Sequence, residues 1–160
     1  MKSDKIYSIA KDTYLEFGSC PQAVLFAMKK YSNYINEELI QASQSFSGGS
    51  GLVGFGACGA LNGGLMAISA KFGRKANQFH DFDSVPNFKK SKQLIDWFKS
   101  EMNGFTCHDF QELINNKTYD MWDLENKQKL KSEKFKNNCA HMCGATAQKC
   151  IELLEENGQY

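Results

Sequence analysis

The chain of 160 residues has almost no excess of charge, with 19 Lys+Arg against 18 Asp+Glu. That balance gives no global field to recruit nucleic acid or an anionic membrane. The one local excess, Lys117 to Lys136, is interrupted by Asp120, Asp123, Glu125 and Glu133, so it reads as a solvated polar face. No apolar run reaches the roughly 20 residues needed to span a bilayer, and the N-terminal stretch MKSDKIYSIAKDTYLEFG has no apolar segment of the secretory kind. These two absences point to a cytoplasmic protein that contacts neither membrane nor nucleic acid. Tight Cys-x-x-Cys pairs are missing, which argues against zinc-ribbon and thioredoxin motifs, and so is Cys-x-x-Cys-His, which argues against covalent c-type haem. The glycine-rich stretch from Ser47 to Ala57 has neither the Gly-Lys-Ser/Thr ending of a P-loop nor a strand leading into GxGxxG, so nucleotide binding has little support.

What the chain does have is six cysteines. In a reducing compartment structural disulfides are rare, and gathered cysteines more often mean metal or redox chemistry. Three of them stand where the local sequence starts a helix. Ser19-Cys20-Pro21-Gln22 reads as an N-cap, an early proline and a capping-box glutamine. Cys58 follows the glycine stretch and opens a segment, Cys58 to Ile68, that is small and apolar on nearly every side, as a buried central helix would be. Cys107 follows Thr106, a capping residue. Free N–H groups and a partial positive charge at a helix start favour thiolate over thiol, and thiolate is the reactive, metal-binding form.

Apolar periodicity places the other helices. Tyr7, Ala10, Tyr14 and Phe17 mark a first amphipathic helix ending near Gly18, and Val24, Leu25, Ala27, Met28 and Tyr31 the stripe of a second. A short helix is expected over Asn36–Ser45. After a connection from Arg74 to Asn87, an amphipathic helix follows to about Asn103, then a short one from Cys107. Residues Asn115–Asn126 read as loop or a single turn, and a last helix covers Lys127–Glu156. With no convincing strand pair or repeat, the expected fold is all-α: one domain over residues 1–160, a bundle of five to six helices, its glycine-rich loop leading into the buried central helix.

Cys139 and Cys143 are four residues apart on the last helix and face one way, so they can meet a shared metal, whereas a disulfide between them would be strained. Cys150 favours core packing. His108 beside Cys107 reads first as a surface or capping residue and second as a ligand or proton donor; His141 reads as exposed, and His80, in His80-Asp81-Phe82-Asp83, is weaker still.

The pieces Gly18-Ser19-Cys20-Pro21-Gln22-Ala23-Val24, Cys58-Gly-Ala-Leu-Asn-Gly-Gly-Leu-Met-Ala-Ile68, Gly104-Phe-Thr-Cys107 and Cys139-Ala-His-Met142 together resemble the redox-active C_GCAxxG_C_C family. The resemblance implies a helical domain with four functional cysteines, often encoded in anaerobes. It also extends to the non-haem part of split-Soret cytochromes, in which an iron–sulfur centre accompanies the haems. Ala57 stands where the family usually has a polar residue, and Cys143 and Cys150 are extra.

Three functions follow as expectations. In the first, Cys20, Cys58, Cys107 and Cys139, with Cys143 as a substitute fourth thiol, hold an iron–sulfur cluster for electron transfer, most simply [2Fe–2S], with amides around Gly54, Gly56 and Gly59 hydrogen-bonding the sulfurs. In the second, a metal-free thiol–disulfide oxidoreductase uses Cys58 as nucleophile and another cysteine, such as Cys20, to resolve it. In the third, the cysteines bind zinc or pack in an interaction protein. The redox partner is not written in the sequence, and a homodimer is permitted without being required.

Overall fold

A computed structural model describes residues 2–80, 85–130 and 132–156. It is all-helical, with eight α-helices in the order α1 (Lys2–Phe17), α2 (Cys20–Lys29), α3 (Glu37–Ala42), α4 (Gly59–Phe72), α5 (Val85–Met102), α6 (Cys107–Asn115), α7 (Leu124–Leu130) and α8 (Glu133–Glu155). Short 3-10 turns occupy Ser43–Phe46 and Ala76–Gln78. Among the described residues the sole bridge of β type is an isolated antiparallel pair, Ala57 with Thr106. No helix there is long and apolar enough to cross a membrane.

The count of five to six helices is therefore too low, and the reason is local capping. The expected single helix over Lys127–Glu156 is two: Ser132 accepts a hydrogen bond from Phe135 N at 3.4 Å and opens α8 afresh. Upstream, Asp123 Oδ1 accepts from Asn126 N at 2.8 Å, so α7 begins inside the stretch read as loop. Asn36 caps α3 through Leu39 N at 3.0 Å, and the short helix expected over Asn36–Ser45 tightens into a 3-10 turn after Ala42. Of the His80-Asp81-Phe82-Asp83 motif, only His80 is among the described residues, and it is exposed.

The capping box expected of Ser19 and Gln22 does not form. The reversal between α1 and α2 is made by two residues in left-handed conformation, Gly18 at φ 75° and Ser19 at φ 56°. An N-cap normally needs extended backbone. Ser19 Oγ instead meets Ser47 Oγ at 3.0 Å, and Gln22 Nε2 donates to Ile40 O at 3.3 Å. The turn ties the start of α2 to the glycine loop rather than to its own first turn.

The apolar stripes then pack. α1 lies along α8, while α2 contacts α1, α4 and α8. Seven residues of α4 are buried: Gly59, Ala60, Leu61, Gly63, Gly64, Ala67 and Ile68. The small ones let α2 come close: a Cβ on Gly63 would stand 2.8 Å from Pro21 O and 2.9 Å from Pro21 Cα, which is backbone that cannot swing aside. Gly63→Ala is thus expected to destabilise the fold by about 1–3 kcal/mol through overpacking, measured as a lower urea midpoint with an unchanged slope. At the far end, buried Lys90 donates to Leu153 O and Lys71 to Leu154 O, so two cations cap the C-terminus of α8.

Candidate thiol site

Cys20 is the first residue of α2, and the α1–α2 reversal presents it. Cys58 is the residue before α4, with extended backbone (φ −54°, ψ 136°), one position earlier than a first-turn reading places it. Cys107 opens α6 behind a reciprocal box in which Asp109 N donates to Thr106 Oγ1 at 3.0 Å and Thr106 N to Asp109 Oδ2 at 2.8 Å. The amides of Thr106 and Phe105 hold the Asp109 carboxyl below the usual carboxylate range. Cys139 and Cys143 occupy successive turns of α8.

Backbone pairing joins two of these positions: Cys58 N donates to Phe105 O at 2.7 Å and Cys107 N to Gly56 O at 3.2 Å, around the Ala57–Thr106 bridge. A close approach joins a third. A Cβ on Gly59 would lie 2.8 Å from Pro21 Cδ and 3.1 Å from Cys20 Cβ, so only glycine lets the start of α4 seat against the start of α2. Contact between α2 and α8 supplies the last pair, with Cys143 Sγ directed at Cys20 O, 3.8 Å away. Five cysteines from four helix segments thereby face one place.

All six cysteines are free thiols, and Cys20 is the one that is not buried. It is also the one held well below the ordinary thiol pKa: hydrogen bonding from the Cys139 thiol, then the Cys143 thiol, outweighs burial, and Tyr14 adds to it. The other four thiols of the site move the opposite way. Cys139 is raised by its hydrogen bond to Cys20 and then by burial; Cys143 is raised by burial and then by Cys20. Burial, then the charge on Cys20, keeps Cys58 protonated well above the usual range, against donation from Ala60 N and Leu61 N. The same two causes push Cys107 up to about 12. The Tyr14 hydroxyl is driven up by burial and by the Cys20 charge, so it remains a donor. These directions favour ionisation at Cys20 over the thiols around it.

Two expectations from sequence meet the geometry here. Cys58 has the helix-start amides, but burial and then the neighbouring Cys20 push its pKa up. The amides of the glycine loop are not free to cover a sulfur: Gly54 N donates to Gly48 O and Gly56 N to Gly49 O, both at 3.0 Å. That loop ties itself to α6 instead, through His108 N to Gly54 O at 2.9 Å. His108 packs there, edge-on to Phe55 with ring centroids 4.5 Å apart. His141 is exposed and meets Tyr7 Oη through Nδ1 at 2.7 Å. Cys150 is buried in the core, its Sγ 2.8 Å from where a Gly64 Cβ would stand, and burial raises it to about 12.

Two residues of the site carry no cysteine signal. Tyr14 reads in sequence only as part of the apolar stripe of α1. Gln111 is wholly buried; its Nε2 donates to Cys107 Sγ at 3.8 Å while its Oε1 accepts from Tyr119 N at 2.7 Å. A polar residue one turn after a buried cysteine was the available clue. Among the described residues, no group of three or more His, Cys, Asp or Glu side chains is arranged to hold a metal ion.

A protein-family model described as "Putative redox-active protein (C_GCAxxG_C_C)" matches residues 18–153. No curated protein and no solved structure matches the chain.

Proposed function

The chain belongs to the C_GCAxxG_C_C family, and on that footing we propose that it is a thiol-based redox protein, acting as one domain, whose working group is the Cys20 thiolate. The observation that carries this reading is the setting of Cys20: it is the one cysteine of the six that is not fully buried, and the thiols of Cys139 and Cys143 on α8 meet it and lower its pKa. A nucleophilic thiolate needs both properties. Six free thiols suit a reducing compartment, the cytoplasm.

The chemistry available to such a site is disulfide exchange. The Cys20 sulfur attacks one sulfur of a substrate disulfide, forming a mixed disulfide and expelling a thiolate that takes up a proton. Cys139, or Cys143, then gives up its proton and attacks the Cys20 sulfur. The second substrate thiolate leaves and is protonated. The substrate disulfide is reduced by two electrons to two thiols, and the protein dithiol is oxidised to one disulfide across α2 and α8. Both candidate resolving thiols lie beside Cys20, and a pairing of Cys139 with Cys143 would strain one helix.

A second reading, electron transfer through an iron–sulfur centre held by Cys20, Cys58, Cys107 and Cys139, is favoured by the convergence of these cysteines and opposed by the lack, among the described residues, of three side chains arranged around one metal ion. One pair of measurements separates the two. Mild oxidation followed by peptide mass spectrometry is expected to yield one dominant, reversible disulfide containing Cys20. The anaerobically purified protein is expected to be colourless between 400 and 600 nm; about two iron and two sulfide per chain, with no such disulfide, would overturn the thiol reading in favour of [2Fe–2S].

A further inference from the structure

Beside the thiol site lies a cavity of about 590 Å³, in the size range of small-molecule sites. Its apolar walls include Leu52, Met121, Leu130 and Phe135, contributed by the glycine loop, the α6–α7 connection, α7 and α8. Tyr14 and Gly18 line its inner side. Tyr14 is the residue whose hydroxyl faces Cys20 and Cys139, and Gly18 is two residues before Cys20, so the cavity lies one side chain away from the thiols, which are not themselves part of its lining. Two lysines stand at the wall, Lys127 and Lys136, against a single carboxylate, Glu16. Both lysines are exposed, and neither is in an ion pair among the described residues.

We infer that this cavity binds the oxidised substrate of the Cys20 site, and that the substrate is a small organic disulfide with an apolar body and an acidic group. The inference rests on the thiol reading above and adds the substrate class. The apolar walls remove the body from water, which favours a ring or short alkyl over a polar peptide. The unpaired ammonium groups give an acid an orienting contact at the wall. An acid held there leaves the rest of the molecule to reach inward past Tyr14. Attack by Cys20 then forms the mixed disulfide and releases the other half as a thiol, as in the balanced exchange already given.

The test uses the full chain and two aromatic disulfides of similar size. One is 5,5′-dithiobis(2-nitrobenzoic acid), which carries a carboxylate on each ring; the other is 4,4′-dithiodipyridine, which is neutral. Release of the coloured thiol is followed by stopped flow, with each rate compared to that of free cysteine as a reference for intrinsic reactivity. The acidic disulfide is expected to saturate with concentration and to be preferred, relative to the free-cysteine reference, by about tenfold. In the Lys127→Glu/Lys136→Glu variant, whose two positions are exposed, that preference should be lost. In Met121→Trp, which fills the cavity, saturation should be lost as well, while circular dichroism reports that the fold is retained. Rates linear in concentration with a preference unchanged by the lysine variant would overturn the cavity proposal and leave the thiol reading standing. Absence of reaction at Cys20 with either disulfide, seen by mass spectrometry, would overturn the thiol reading itself.

Discussion

Replacement of Cys20 by serine is expected to lower the rate of thiol–disulfide exchange by at least about a thousandfold, the scale seen when a nucleophile is removed. A serine hydroxyl is not ionised near neutral pH, and the neighbouring thiols are poor substitutes for it, because the pKa values of Cys58, Cys107, Cys139 and Cys143 are all pushed up. The same argument fixes the pH dependence. An unperturbed thiol reacts with iodoacetamide only as pH approaches about 8.5, where its thiolate appears. Cys20 has its pKa lowered by donation from Cys139 and Cys143. Its alkylation should therefore stay fast as pH falls below that range, and slow only when pH drops through the lowered value. Cys139→Ala removes the largest donor and should move the inflection upward, slowing alkylation at neutral pH. Peptide-resolved alkylation between pH 5 and 10 reads both effects. Alkylation that lands first on Cys58, or a Cys20 inflection in the ordinary thiol range, would contradict the assignment.

The second large effect is expected at Gly49. Its backbone is left-handed at φ 72°, and an added Cβ would lie 2.7 Å from both Gly54 C and Gly54 O, and 2.9 Å from Cys107 Cβ. Two costs combine in Gly49→Ala: about 1–3 kcal/mol for the conformation and about 1–3 kcal/mol for overpacking against backbone. The loop is joined in series, since Gly56 N donates to Gly49 O and Cys107 N to Gly56 O. A displaced Gly49 should therefore also loosen Cys107. Gly51 separates the two costs. It too is left-handed, at φ 58°, but an added Cβ there meets nothing within 4 Å. Gly51→Ala should lose only about 1–2 kcal/mol, leaving Cys107 closed to alkylation. Equal urea midpoints for the two variants would show that the loop is not packed as described.

The site was legible in the sequence to the extent that it is written in residue type and local capping. Cys20, Cys58 and Cys107 stand out because each sits at a helix boundary marked by glycine, serine, proline or threonine. Cys139 and Cys143 stand out because their spacing puts them on one face. Thr106 caps α6 as its type suggests, and α4, small and apolar all round, is buried as a helix without a polar face must be. The all-α class follows from the same short-range periodicities.

What the sequence could not rank was the cysteines themselves. A helix-start argument makes Cys58 the preferred thiolate, because local amides are all that one chain segment reveals. Burial and neighbouring charge are long-range quantities: Cys58 stands 38 residues from Cys20 and 49 from Cys107, the thiols that push its pKa up, and Cys20 stands 119 and 123 residues from the two thiols on α8 that lower its own. The glycine loop makes the same point. Its composition indicates free amides, but the fold closes them on Gly48 and Gly49 and turns the loop into a brace for α6. Helix faces, and the helix starts that carry their own caps, are decided within a turn or two of chain, so the sequence alone determines them; which thiol is favoured to ionise, and which cavity lies beside it, is decided only when α2, α4, α6 and α8 bring distant dipoles and charges within a few ångströms of each other.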